Sequence, residues 1–223
     1  MDGTFNDAVL AMCAGALRTY LLNHGELPDK SLKSMVPVSL QRPGDIESSN
    51  AVGVISADLA INVADPVKRF RAIQASMVAG KELLQALSPA EAALFLQFIQ
   101  LPGVALAPLG LLARFPPYST TISNVPGPRR PMYWNGARLE GIYPASIVME
   151  GIALNITLVT YDDQVDFGVM ACRRSLPQVQ RIIDYLEDSL LELEDAVGIR
   201  SKPKRKPGRA RDWRHWCQSP ESI

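Results

Sequence analysis

TTISNVPGPRRPMYWNGARL, residues Thr120 to Leu139, is the stretch on which the fold turns. The segment from Tyr118 to Val125 is rich in β-branched residues, so it reads as a strand. Pro126-Gly127-Pro128 follows at once, and two prolines fix φ on either side of a glycine. That makes a rigid turn and sets the direction in which the chain leaves the strand. Ser123 and Asn124 are delivered into this turn. Side chains of these types either donate hydrogen bonds to a ligand carbonyl or phosphate or satisfy the turn's own backbone groups.

Downstream, Ala137 to Tyr143, Leu154 to Tyr161 and Val165 to Ala171 read as strands, the last two joined by Asp162-Asp163-Gln164 as a hairpin. Pro177 to Val197 reads as an amphipathic helix, with Val179, Ile182, Ile183, Leu186, Leu190 and Leu193 on one face. Upstream, Thr4 and Asp7 form a short-acid capping box that opens a helix over residues 5–23, stopped by Gly25 and Pro28. Ser34 to Leu40 is a strand with Pro37 at an edge or bulge, and Ala51 to Asn62 is a second strand. Asp65-Pro66 starts a helix over 66–86 with Val67, Phe70, Ile73 and Met77 at i, i+3 and i+4 steps, and Ser88-Pro89 repeats that start signal. Helices and strands alternate first and a hairpin-rich stretch follows, which predicts an α/β (α+β) fold with a mixed sheet flanked by helices.

With 47% apolar residues in 223, the chain can build a core. Formal net charge is zero, yet residues 200–223 hold eight of the 23 Lys and Arg and two of the 23 Asp and Glu. Residues 1–199 are therefore left with 15 basic against 21 acidic side chains, an acidic body before a basic tail whose composition predicts disorder. Cys13, Cys172 and Cys217 lie far apart without a CxxC, so neither a disulfide framework nor a metal knuckle is expected. The opening MDGTFNDAVL shows no basic stretch ahead of an apolar run, so a cytoplasmic location is expected. The strings GxxxxGK, HExxH and GxSxG are missing from the sequence, which sets aside P-loop, zincin and serine-hydrolase chemistry.

The string SNVPGP, followed by a short spacer and a G-x-x-L strand, resembles the signature of the bacterial wax ester synthase/diacylglycerol acyltransferase family, C-terminal domain. Asn6-Asp7 opening an apolar helix is similar to that family's ND motif, MVPVSL (Met35 to Leu40) to its following strand, and Leu154-Asn155-Ile156-Thr157 to its late strand. Asp166-Phe167-Gly168 resembles the DFG turn of the wider coenzyme-A-dependent acyltransferase superfamily. Six ordered pieces from about Thr4 to Val197 carry the likeness.

The resemblance implies the C-terminal lobe of a chloramphenicol-acetyltransferase-like fold over residues 1–199, with a tail at 200–223. It implies acyl-coenzyme A as a substrate, no resident cofactor and no metal, and diacylglycerol or a long-chain alcohol as acceptor. A general-base histidine in the family's HHxxxDG motif deprotonates the acceptor hydroxyl, and the thioester oxyanion then needs donors. The present sequence carries only His24 and His215, neither in that motif, so the chain alone is expected to be inactive. Met1 stands three residues before the family pattern begins mid-protein. The chain is thus expected to be a fragment, a split-gene half that needs an N-terminal lobe as partner, or a decayed paralogue.

Asn6, Asp7, Ser123 and Asn124 are the residues the resemblance places at or behind the site, while Pro126, Gly127, Pro128, Asp166 and Gly168 are structural. For Asn6 and Asp7, capping is the equal alternative; for Asp166 the simplest role is to tie two strands through its carboxylate. The uncharged run Ala92 to Ala113 is broken by Pro102, Gly103, Pro108 and Gly110, so it reads as a buried helical pair or a surface leaning on a membrane or lipid inclusion. The tail is a solvated extension or an anionic-membrane contact; nucleic acid ranks last, because the acidic body offers no reading module. The rival function is a non-catalytic remnant lobe that binds lipid or a partner protein.

Overall fold

A computed structural model describes residues 2–39, 52–88, 91, 92, 94, 95, 97–99, 101, 108 and 116–199. The uncharged run at 92–113 and the basic tail lie largely or wholly outside the described residues. Helix α1 spans Phe5–Asn23, β1 Lys33–Ser39, β2 Val52–Asp58, α2 Pro66–Ala86, β3 Thr120–Val125, β4 Tyr133–Trp134, β5 Ala137–Arg138, β6 Leu154–Tyr161, β7 Gln164–Ala171 and α3 Arg181–Ala196. Five strands form one sheet in the order β2-β1-β3-β6-β7, antiparallel at both outer pairs and parallel across β1, β3 and β6. This is the mixed α/β fold expected.

Helices α1, α2 and α3 pack on one sheet face. α1 is buried at nearly every position from Asp7 to Leu17, because it lies between α2 and α3 and shares one core with the strands. Its small residues permit that crowding: a Cβ on Gly15 would lie 2.0 Å from Ser189 Oγ of α3. Register fixes the inward set as Val36 and Ile55 on β1 and β2, Ile122 on β3, and Leu154, Ile156 and Leu158 on β6, all in one core. Arg69 enters this core at 2% exposure and donates to the carbonyls of Val63 and Ala64 and to Glu192 of α3 at 2.9 Å.

Several elements depart from the sequence reading. β2 ends at Asp58, whose carboxylate accepts from Ala60 N at 2.8 Å and turns the chain, so Leu59 and Ile61 reach the core from a turn. β1 is an inner strand, but its pairing with β3 stops at Met35, two residues short of Pro37, where a missing N–H costs the ladder nothing. α3 begins at Arg181, not Pro177, because Gln178 takes φ +58°. Its inner stripe is Ile182, Leu186, Ser189 and the half-buried Leu193, while Ile183 and Leu190, about 100° round the helix, are 53% and 41% exposed.

The largest difference follows the Pro-Gly-Pro turn. Only Ala137–Arg138 of the expected strand pairs, with Tyr133–Trp134, through an Asn135-Gly136 turn at φ +47° and +83°. Residues 139–153 then run without strand pairing across the sheet face opposite the helices. Asp166 and Gly168 stand in the middle of β7, not in a turn. The Asp166 carboxylate does tie chain segments together, accepting from Ile142 N of this arm at 2.8 Å.

Candidate functional site

Because β1, β3 and β6 are parallel, their C-terminal ends, Ser39, Val125 and Tyr161, share one sheet edge, the position at which open α/β sheets hold ligands. Ser123 and Asn124 sit there. Successive strand residues face opposite sides, so Asn124 shares the helix face with Ile122, and Ser123 shares the open face with Thr121. Both are half-buried. Asn124 Oδ1 is buried and has no hydrogen-bond partner among the described residues, and the Ser123 hydroxyl donates to none of them either.

The turn that follows is clamped. Gly127 N donates to Thr160 Oγ1 at 3.0 Å, and Asp162 N donates to Pro128 O at 2.9 Å. A Cβ on Gly127 would stand 2.0 Å from the Thr160 carbonyl oxygen, so only glycine allows the turn this close to β6. Pro126 and Pro128 hold the flanking φ angles. The end of β3 is thereby fixed from both sides of Ser123 and Asn124.

The residues that lead into α1 lie against the first half of α2: Gln74 Nε2 donates to Asp2 O at 2.7 Å, and a Cβ on Gly3 would lie 2.5 Å from Phe70 Cζ. The far end of α1 is tied where Arg18 Nη1 donates to Ile61 O at 2.6 Å and Tyr20 Oη donates to Pro177 O at 2.6 Å. Asp7, 3% exposed, accepts through Oδ2 from Thr4 N and Thr4 Oγ1, both at 2.8 Å, which completes the capping box. Asn6 is half-buried and free of side-chain hydrogen bonds among the described residues. No hydrogen bond joins Asn6 or Asp7 to Ser123 or Asn124: the Asp7 carboxylate is taken up by Thr4 at the start of α1.

His24 caps the other end of α1, about 27 Å along the helix axis from Asn6. Its Nδ1 lies 2.7 Å from the Tyr20 carbonyl oxygen, which only accepts, so the proton is on Nδ1, and the ring stacks on Tyr20 at 4.2 Å. That histidine closes a helix and does not reach the β3 edge.

Three polar residues beside Ser123 escape a reading centred on the turn. On the open face Thr121 pairs in register with Asn155, and Ser123 with Thr157. Thr157 Oγ1 donates to Asn155 Oδ1 at 2.9 Å, and Asn155 Nδ2 donates to Ser146 Oγ and Ile147 O of the arm at 3.0 and 3.1 Å. Thr121 Oγ1 is buried with no partner among the described residues. Leaving a buried hydroxyl unpaired costs on the order of 1–3 kcal/mol. Replacing Thr121 with the near-isosteric Val should therefore stabilise the isolated chain by about 1 kcal/mol, seen as a higher urea midpoint at unchanged slope. A loss of stability would show that the hydroxyl is satisfied in solution.

Neither described cysteine is a nucleophile at this edge. Burial pushes the Cys13 thiol up from 9.0 to about 12. Hydrogen bonding from Ser175 holds half-exposed Cys172, beyond the end of β7, below its usual range. In a Cys217→Ser chain near pH 8, a disulfide reagent should titrate one thiol, Cys172, and reach Cys13 only after denaturation. Two fast thiols would refute the burial of Cys13. No group of three His, Cys, Asp or Glu placed to hold a metal occurs among the described residues, and none of the helices described is long and apolar enough to cross a membrane.

The profile of the WS/DGAT C-terminal domain matches residues 48–194. The chain belongs to this family. A putative diacylglycerol O-acyltransferase of Mycobacterium tuberculosis strain H37Rv is 50% identical over 198 residues, which are 88% of this chain and 44% of that protein. The O-acyltransferase WSD of Acinetobacter baylyi is 40% identical over 197 residues, 88% of this chain and 43% of that one. The wax ester synthase/diacylglycerol acyltransferase from Marinobacter aquaeolei VT8 shares the fold, with a TM-score of 0.77 at 45% identity over 87% of this chain and 44% of its own. The chain thus spans less than half the length of these relatives. Family membership extends across the clamped turn, the open-face polar residues and the β6–β7 hairpin.

Proposed function

We propose that the chain is the C-terminal half of an O-acyltransferase that moves a fatty acyl group from acyl-coenzyme A to diacylglycerol or a long-chain alcohol, giving triacylglycerol or wax ester. The observation that carries this reading is the family match over residues 48–194, which includes the Ser123-Asn124 strand end and its clamped turn. An N-terminal half, of the kind the longer relatives contain, supplies the base.

The acceptor hydroxyl gives its proton to that base as its oxygen attacks the thioester carbonyl. The carbon–sulfur bond then breaks, and the coenzyme A thiolate takes the proton back. Between the two steps negative charge sits on the former carbonyl oxygen. The Ser123 hydroxyl is a donor of the right type, held in place before substrate arrives, and such a pre-set donor is the largest source of stabilisation for an oxyanion, while Asn124, on the opposite face of β3, positions the strand end behind it. Asp7 acts as a positioning residue: it closes the first turn of α1 and so places Asn6. The substrates are the thioester and the acceptor, and the reaction needs no resident cofactor or metal.

The pure chain should transfer no acyl group from palmitoyl-coenzyme A to hexadecanol or dioleoylglycerol, and should do so when co-expressed with the N-terminal half of a relative, assayed by ester product. Turnover by the chain alone would refute the division of labour. A stable complex without turnover would favour a remnant lobe that only binds.

A further inference from the structure

Residues 132–149 carry the densest run of exposed large apolar side chains in the described chain, among them Trp134, Tyr143 and Ile147 at 85%, 79% and 74% exposure. Their backbone is not loose. Tyr161 Oη accepts from Met132 N and donates to Leu139 O, Gln164 Nε2 donates to Glu140 O, Asp166 accepts from Ile142 N, and Asn155 donates to Ser146 and to Ile147 O. Pro144 meets β7 so closely that a Cβ on Gly168 would lie 1.8 Å from its carbonyl oxygen. The segment is a strap bolted to β6 and β7 by its main chain while its large side chains stand in water. Large apolar side chains exposed at this density along one anchored segment mark an interface, and the fixed backbone removes the ordering cost that a mobile loop would incur on binding.

Two observations select the occupant. Between Pro131 and Met149 the only charged residues are Arg138 and Glu140, so the strap has no excess positive charge with which to favour an anionic lipid surface over a protein face. Among the described residues the sheet carries α1, α2 and α3 on one side and this strap on the other, while the chain covers 44% of the Marinobacter enzyme. A missing layer of the same fold is the complementary surface. We infer that the outer side of residues 132–149, which presents Trp134, Tyr143 and Ile147, is the surface on which the N-terminal half of a family enzyme docks. The inference rests on the proposed function only for the origin of the partner.

The test mixes the full chain with the part of the Marinobacter enzyme that this chain does not cover, and follows complex formation by size exclusion and fluorescence titration. A Trp134→Ser, Tyr143→Ser, Ile147→Ser chain should bind at least tenfold more weakly, with an unchanged circular dichroism spectrum. A Val78→Ser, Leu83→Ser control, altering α2 residues that are 47% and 50% exposed, should bind like the wild type. Equal affinity of the strap variant, equal weakening by the control, or no complex with the wild type would each overturn the inference. So would a homodimer of the chain that the strap variant abolishes, since the occupant would then be a second copy. A complex that forms through the strap and transfers no acyl group sinks the proposed function and leaves the docking surface standing. An active complex indifferent to the strap variant does the reverse.

Discussion

Gly127→Ala should unfold the chain at a temperature lower by about 6–12 °C, from a loss of about 3 kcal/mol in a domain of this size. The added methyl carbon would lie 2.0 Å from the Thr160 carbonyl oxygen and 3.2 Å from Val159 Cγ1. Both belong to β6, a strand paired on both edges, so neither can withdraw cheaply. The turn must lift instead, and the Gly127 N to Thr160 Oγ1 bond goes with it. Relief on one side moves Asn124 and Ser123 away from the edge on the other, so the variant should also lose activity in a reconstituted enzyme beyond what its stability explains. Thr160→Val offers the milder control: it deletes the same hydrogen bond without a clash and should cost about 1 kcal/mol. A Gly127→Ala melting temperature within a degree of wild type would mean that the turn is not clamped.

Gly168→Ala should be of similar size and should act on a different segment. Its Cβ would lie 1.8 Å from Pro144 O and 2.9 Å from Pro144 C, so the strap must rise off β7 and give up the Ile142 N to Asp166 bond. A loss of about 3 kcal/mol is expected from overpacking against backbone. Thermolysin should cut before Ile147 at least tenfold faster than in wild type, because a detached strap exposes its backbone to the protease. Asp166→Asn is the informative partner variant, since it keeps the space and weakens only the bond to Ile142 N. Unaltered proteolysis in Gly168→Ala would show that the strap has no firm attachment there.

What the sequence disclosed followed from local rules. The capping box at Thr4 and Asp7, the Asp65-Pro66 helix start and the β6–β7 hairpin are written in neighbouring residues, and all three stand where local chemistry puts them. Asn135-Gly136 carried a hairpin signal of equal strength that a strand assignment over Ala137 to Tyr143 passed over. The strap is different in kind: its path is decided by Tyr161, Asp166, Asn155 and Gly168, residues up to two dozen positions away, and no pattern within 139–153 foretells them. At the candidate site the residue types were legible and their facing was not. Ser123 and Asn124 are adjacent in sequence and so point to opposite sides of β3, whereas Thr121 and Asn155, the neighbours of Ser123 on its own face, lie two residues away and across a strand pair. The signal that would have found Asn155 and Thr157 is the alternation in LNIT, apolar at Leu154 and Ile156 and polar between and after them.

The claim that this chain supplies the donor side of an acyl-transfer site is tested most directly by steady-state kinetics of the two-part enzyme carrying Ser123→Ala or Asn124→Leu. Ser123→Ala should lower kcat by about 10² or more while leaving the KM for palmitoyl-coenzyme A and the thermal midpoint nearly unchanged, as expected when a donor to a developing oxyanion is removed, and Asn124→Leu should lower kcat less, through the placement of the strand end. Wild-type kcat in both variants would contradict the account, since the strand end that the turn clamps would then have no part in the chemistry.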